Sequence, residues 1–253
     1  MRHLAAALVL LLAGPSTAGE GVVAGLSQDR ISITANFDGS DLLIYGAVKR
    51  EEAIPVHPLD VIVTVEGPST PLTVRRKSHV FGIWANTAAV EVDHAPSFYA
   101  VATTRPLYEA MSWTEDLRHK ISVPQMIRSV GAPQEISDSP AFSEALIRIR
   151  ENNGLYSLKE GSVDLREETL FSTEIDLPAN LVEGEYRTRI FLLRDLGVVA
   201  WHETVIDVRK VGLERWLYEL ATGQPALYGS LALFLAALAG WAASTAFRLL
   251  KNG

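Results

Sequence analysis

LPANLVEGEYRTRIFLL, residues Leu177 to Leu193, decides how this chain is built. Gly184-Glu185-Tyr186 opens a late strand, EGEYRTRIFLLRD, and places the Tyr186 hydroxyl where it can bond backbone at the corner. That arrangement closes an immunoglobulin-like sandwich, although any glycine turn before a strand reads in much the same way. The flanking text decides for a sheet protein. LFSTEIDL lies before the stretch and GVVAWHETVIDV after it, each short and β-type, with strand signals running from Val163 onward.

Further upstream, from Asp29, come ISITANF, DLLIYGAV, LDVIVTVEG, PLTVRRKS and SFYAVAT. In LDVIVTVEG, Val61, Val63 and Val65 alternate with Ile62, Thr64 and Glu66, which predicts a strand with one better-buried face. Gly67-Pro68-Ser69-Thr70 then reads as a turn that pairs this strand with PLTVRRKS in a hairpin.

Between Arg105 and Gly154 the β-type runs stop. DSPAFSEALIRIRENNG predicts a helix with Ser139 as its N-cap, Pro140 at the first helical position, and Phe142, Ala145, Leu146 and Ile149 on one face. It ends at Asn152-Asn153-Gly154. A second helix starts at Pro106 and carries Leu107, Met111 and Trp113. The expected fold is therefore mostly β: an immunoglobulin-like β-sandwich, one or two small ones, with a helical insertion over about 105–154 and a C-terminal transmembrane helix.

The ends set the location. Residues 1–18, MRHLAAALVLLLAGPSTA, pair Arg2 with a short apolar run and a small-x-small ending, the pattern of a secretory signal peptide cut after Ala18. Ala226 to Phe247 holds no charged residue and reaches roughly 33 Å as a helix, enough to span a bilayer. Arg248 and Lys251 behind it place the C-terminus in the cytoplasm, and the exported domain over 19–210 in the periplasm, against a bacterial inner membrane. Between them, over about 211–224, Leu213, Trp216, Leu217 and Leu220 predict a juxtamembrane amphipathic helix.

The chain carries a net charge of −7; removing Arg2 leaves −8, and setting aside Arg248 and Lys251 leaves −10 on residues 19–247. So acidic a domain argues against nucleic acid as partner and against broad docking on anionic lipid. There is no cysteine, which excludes disulfides, thiolate nucleophiles, iron–sulfur clusters and attached c-type haem.

No reactive constellation emerges. A metal would need converging ligands, yet His57, His79, His94, His119 and His202 show no ligand spacing; His57, His79 and His94 are the best set, and no metal or other cofactor is expected. G-x-S-x-G, a phosphate-binding glycine loop and a dinucleotide fingerprint are all missing. Glu51-Glu52 and Glu167-Glu168 read as solvated turns, and Arg75-Arg76-Lys77 as cations guarding a sheet edge. In HVFGIWANTAAVEVDHAPSFYA, His79 to Ala100, alternation assigns most aromatics to the sandwich core. Trp84, Asn86, His94 and Tyr99 remain as a candidate rim for ligand or partner, with breaks at Thr87-Ala88 and Pro96, and Arg105 beside it. In the span, Ala232, Ala236, Gly240 and Ser244 form a small-xxx-small stripe suited to close helix packing.

Signal peptide, GIWAN, PSFYAVATTRPL, ALIRIR, GLY, LFSTEIDLPANLVEGEYRTRIFL and a Tyr-Gly-led span ending FRLLK follow in an order that resembles the alphaproteobacterial transmembrane protein family of this length. The resemblance covers nearly the whole chain and carries over no catalytic residue. It implies a role accessory to a multi-span permease of the sulfite-exporter type. The resulting expectation is a non-enzymatic, membrane-anchored periplasmic interaction module serving an integral membrane protein such as a transporter; the alternative is a periplasmic solute- or anion-binding domain presenting its ligand to that permease.

Overall fold

The structure is a computed structural model and describes residues 20–34, 37–50, 53–127, 138–211 and 213–251, leaving aside the side chains of 213–216, 219 and 245–251. The stretch expected as a signal peptide, residues 1–18, and Glu51-Glu52 lie outside the described residues. The chain forms two compact units: a β domain, Asp38–Val208 with the segment ending at Ile31, and a C-terminal unit of Ser32–Phe37 and the chain from Arg209 onward.

Two larger sheets and a two-stranded hairpin make the β domain among the described residues. Strands β1 (Gly21–Leu26), β3 (Ser40–Lys49), β10 (Leu170–Leu177) and β9 (Asp164–Arg166) form one, in the order β1-β3-β10-β9. The other has the order β2-β12-β11-β4-β7-β8, from β2 (Arg30–Ile33), β12 (Gly197–Lys210), β11 (Gly184–Arg194), β4 (Asp60–Glu66), β7 (Tyr99–Thr103) and β8 (Tyr156–Lys159). Alternation along β3 and β10 buries Leu42, Ile44 and Val48 with Phe171, Ile175 and Leu177. These meet Val61, Val63, Val65, Ile190 and Leu192 of the larger sheet, all fully buried. The mostly β architecture is as the sequence reads. The Tyr186 corner is present too, its hydroxyl donating to the Val182 carbonyl at 2.8 Å.

Four expectations are corrected. Strand β4 is buried on both faces, not one, because helices of the insertion cover the second face. It also does not pair with the strand after it: β11 and β7 already occupy both of its edges. Instead β5 (Leu72–Val80) and β6 (Ile83–Val92) form a separate two-stranded hairpin. The third correction concerns β8, which lies before Val163 and pairs parallel with β7, a short strand the sequence reading passed over.

The insertion is the fourth. In place of one helix from Pro106, the chain makes α1 (Leu107–Ala110), α2 (Trp113–His119) and α3 (Val123–Met126), followed by α4 (Ser139–Asn152). Ser112 caps α2 by accepting from the Glu115 amide, and this restart divides the expected single helix. On α4 the cap position falls to Asp138, one residue earlier than expected, with Pro140 inside the first turn. Phe142 and Leu146 are buried as foreseen, but Ile149 faces solvent.

The C-terminal unit contains α5 (Leu213–Gly223) and α6 (Pro225–Lys251). Within α6, Pro225–Ser244 has the length and apolarity of a membrane span, with mean hydropathy 1.7 and none of it buried. The whole Ala232, Ala236, Gly240, Ser244 stripe lies in that stretch. The expected orientation of Trp216 on α5 falls among side chains left undescribed.

Candidate contact surfaces

Beneath the insertion lies a row of polar side chains whose role is to hold the layers together. Glu66, Thr64 and Ile62 of β4 share a face with Arg187, Arg189 and Phe191 of β11 and with Tyr99, Val101 and Thr103 of β7. Tyr99, fully buried, donates to the Ile121 carbonyl at 2.7 Å, and burial pushes its hydroxyl pKa well up. Arg189 donates to the carbonyls of His119 at 2.7 Å and Lys120 at 3.1 Å, a cation placed on the C-terminal carbonyls of α2. Lys120, with φ of 51°, ends that helix in the left-handed conformation, and buried Asp116 accepts from the Ile121 and Ser122 amides.

The residues expected at one rim are therefore in separate places. Tyr99 sits inside. His94 lies half-exposed with Nε2 3.6 Å from buried Glu66, whose carboxylate also accepts from Arg187 at 2.8 Å. Arg105 binds Asp60 through Nε at 2.8 Å, at the other end of β4 and about 20 Å along the strand. Trp84 and Asn86 project from the hairpin. The aromatics of the His79–Ala100 stretch divide evenly, where most were expected in the core: Phe98 and Tyr99 are buried, while Phe81 and Trp84, with Ile83, are exposed, because a tight turn at Phe81-Gly82 folds that part of the stretch into a two-stranded ribbon. The break foreseen at Thr87 is real and is a bulge, since Arg76 pairs with Ala88 while Lys77 pairs with Asn86.

The five histidines that follow residue 18 are dispersed as well. His57 pairs with Asp195 at 2.9 Å, His79 packs edge-on against Trp84, and His119 stands over Phe191 near Glu115. Among the described residues no group of three or more His, Cys, Asp or Glu could hold a metal ion. Glu168 has a structural task, accepting from Arg194 at 3.2 Å.

What the domain presents is surface. On the outer face of the four-stranded sheet, Val23 of β1, Tyr45 of β3 and Leu170 of β10 stand exposed around a shallow depression lined also by Ala47, Ser172 and the Asp164–Arg166 pair of β9, and Leu43 of β3 is exposed beside it, opposite Glu174. The Tyr45 ring lies over Gly25, where an added Cβ would come within 3.0 Å of it. Edge strand β1, GVVAGL, carries no charge or proline to deter pairing. The sequence reading missed this face. Its signal is apolar text in both phases of DLLIYGAV: Leu42 and Ile44 point inward while Leu43 and Tyr45 cannot.

The family model described as Putative transmembrane protein (Alph_Pro_TM) matches residues 21–249, from the first strand of the β domain into the end of the apolar helix. A comparison with curated proteins finds no match. With one helix among the described residues fit to cross a membrane and a mostly β domain before it, this chain belongs to that transmembrane protein family and is a membrane-anchored protein.

Proposed function

We propose that the chain is a periplasmic interaction module, held by a single span in the bacterial inner membrane with its C-terminus in the cytoplasm, that works by contact with an integral membrane protein and not by turnover. The observation that carries this reading is the open apolar face of Val23, Leu43, Tyr45 and Leu170. Contiguous apolar surface of this kind marks an interaction site on a folded domain. Strand β1 at its border offers unpaired backbone groups for strand addition. A protein anchored in the same bilayer is the neighbour such a face meets most often, and a multi-span permease is the class the family resemblance implies.

The alternative of an anion-binding domain has less to support it. Of the arginines near which such a ligand would be held, Arg75, Arg76 and Arg105, two are engaged, Arg76 with Asp138 and Arg105 with Asp60.

A photoreactive residue at Leu43 or Tyr45 in native membranes tests the proposal. A discrete adduct with one membrane protein is expected there and not from Glu185, an exposed polar position elsewhere. An identical diffuse pattern from both positions overturns it.

A further inference from the structure

The hairpin of β5 and β6 ends in apolar side chains that nothing among the described residues covers. Phe81 is 103% exposed, Trp84 70% and Ile83 67%. Phe81 and Gly82 form a two-residue turn with φ of 48° and 87°, a conformation that Asn-Gly fills without strain. A phenylalanine there strains its backbone and gains no packing in return. Trp84 is steadied by the His79 ring, whose centroid is 5.5 Å away at an interplanar angle of 77°.

The root of the hairpin is fixed. Val90 and Val92 are buried, and Val92 joins Ala95 and Leu146 of α4 in a cluster on which Leu72 and Val74 pack. Arg76 is held by Asp138 and lies 5.1 Å over the Phe142 ring. Its neighbours Arg75 and Lys77 are exposed, and among the described residues neither has an ion-pair partner. A stiff ribbon thus carries an aromatic and aliphatic tip backed by two free cations, on a domain that is otherwise strongly acidic.

We infer that this tip is a second, peripheral contact with the bilayer: Phe81, Ile83 and Trp84 enter the headgroup layer of an anionic lipid surface, and Arg75 and Lys77 face its phosphates. Charge complementarity favours lipid over a protein partner. The net charge of the chain repels an anionic surface in general, and the hairpin concentrates the opposite sign at one convex point. Tryptophan flanked by cations is the side-chain set that settles at the boundary between headgroups and acyl chains. The chain also belongs to a transmembrane protein family and carries a helix fit to cross a bilayer, so a lipid surface is one it meets. This inference stands apart from the protein-docking role of the four-stranded sheet, and either can fail alone.

The test uses the full chain, whose lack of cysteine makes one introduced thiol unique. Phe81→Cys, and separately Ile83→Cys, carries an environment-sensitive fluorophore, with Glu174→Cys on the outer face of the four-stranded sheet as control. Each is reconstituted at high lipid excess in phosphatidylethanolamine–phosphatidylglycerol vesicles. Blue-shifted emission, quenched by lipids carrying shallow nitroxides, is expected at 81 and 83 and not at 174. Replacing phosphatidylglycerol by phosphatidylcholine, or introducing Arg75→Gln with Lys77→Gln, lowers the inserted population. Each lost cation is worth roughly fivefold, the equivalent of about 1 kcal/mol. Water-like emission at both tip positions overturns the inference, as does a shift seen in native membranes but absent from pure lipid, which assigns the tip to a protein.

Discussion

Replacing Glu20 by glutamine probes how the start of the β domain is held. Arg194 donates to its two oxygens from Nε at 3.1 Å and Nη2 at 3.0 Å, and Arg50 Nε donates at 2.6 Å. The three side chains are 13%, 8% and 9% exposed for Glu20, Arg194 and Arg50, so both guanidiniums are largely out of water. Without the Glu20 charge Arg194 retains one partly exposed carboxylate, Glu168, and Arg50 retains only the Glu168 carbonyl and the Thr169 hydroxyl. Breaking a buried pair by removing one partner costs about 3–5 kcal/mol, and the slight exposure with the remaining amide oxygen sets the expectation at the low end, about 3 kcal/mol at pH 7.

Acid should narrow that difference. Burial alone would raise the Glu20 carboxyl, but the hydrogen bonds from Arg194 and Arg50 outweigh it and hold the group below its ordinary value of 4.5. A depressed folded pKa means that this stability is complete above pH 4.5 and is lost as the pH falls through the folded value. Urea unfolding of the full chain in micelles, followed by far-ultraviolet circular dichroism at pH 7 and below 4.5, measures it. A gap under about 1 kcal/mol at pH 7, or one that persists unchanged in acid, refutes the reasoning.

Three further outcomes follow. Burial raises the Tyr156 hydroxyl to about 12, so folding loses up to about 3 kcal/mol as pH rises from the ordinary 10 to that value; Tyr156→Phe removes this share of the alkaline slope, leaving that of Tyr99 and Tyr186, in the same unfolding assay. An added Cβ at Gly240 meets nothing within 4 Å, so Gly240→Leu leaves the fold intact and abolishes a membrane complex built on the Ala232, Ala236, Gly240 and Ser244 stripe, read by crosslinking; an unchanged assembly rejects the stripe. Thr73→Cys reacts with an impermeant maleimide in spheroplasts and Asn252→Cys does not, and the reverse pattern overturns the assigned orientation.

How far the fold was legible follows from where each signal resides. The apolar run from Ala226 and the Gly184-Glu185-Tyr186 corner are local signals, and both are where the sequence places them. Burial of Ile62 and Thr64 depends on helices more than forty residues away in the chain, which no alternation within LDVIVTVEG can report. Phe81 conceals its turn: a positive φ is expected of asparagine or glycine, so HVFGIWAN reads as one continuous core strand. Of the candidate rim, Trp84 survives as exposed surface, while Tyr99 and Arg105 are spent on Ile121 and Asp60. Aromatic and charged text alone cannot separate a side chain that faces a partner from one that ties two layers together.

Function by contact is tested most directly by one photoreactive residue placed at Tyr45 in the native membrane, with the adduct identified by mass spectrometry. One integral membrane protein, captured reproducibly and lost when Leu43 and Leu170 are both changed to Glu, is the expected result. Monomer alone, with no protein adduct from Tyr45 while the chain remains folded and inserted, contradicts it.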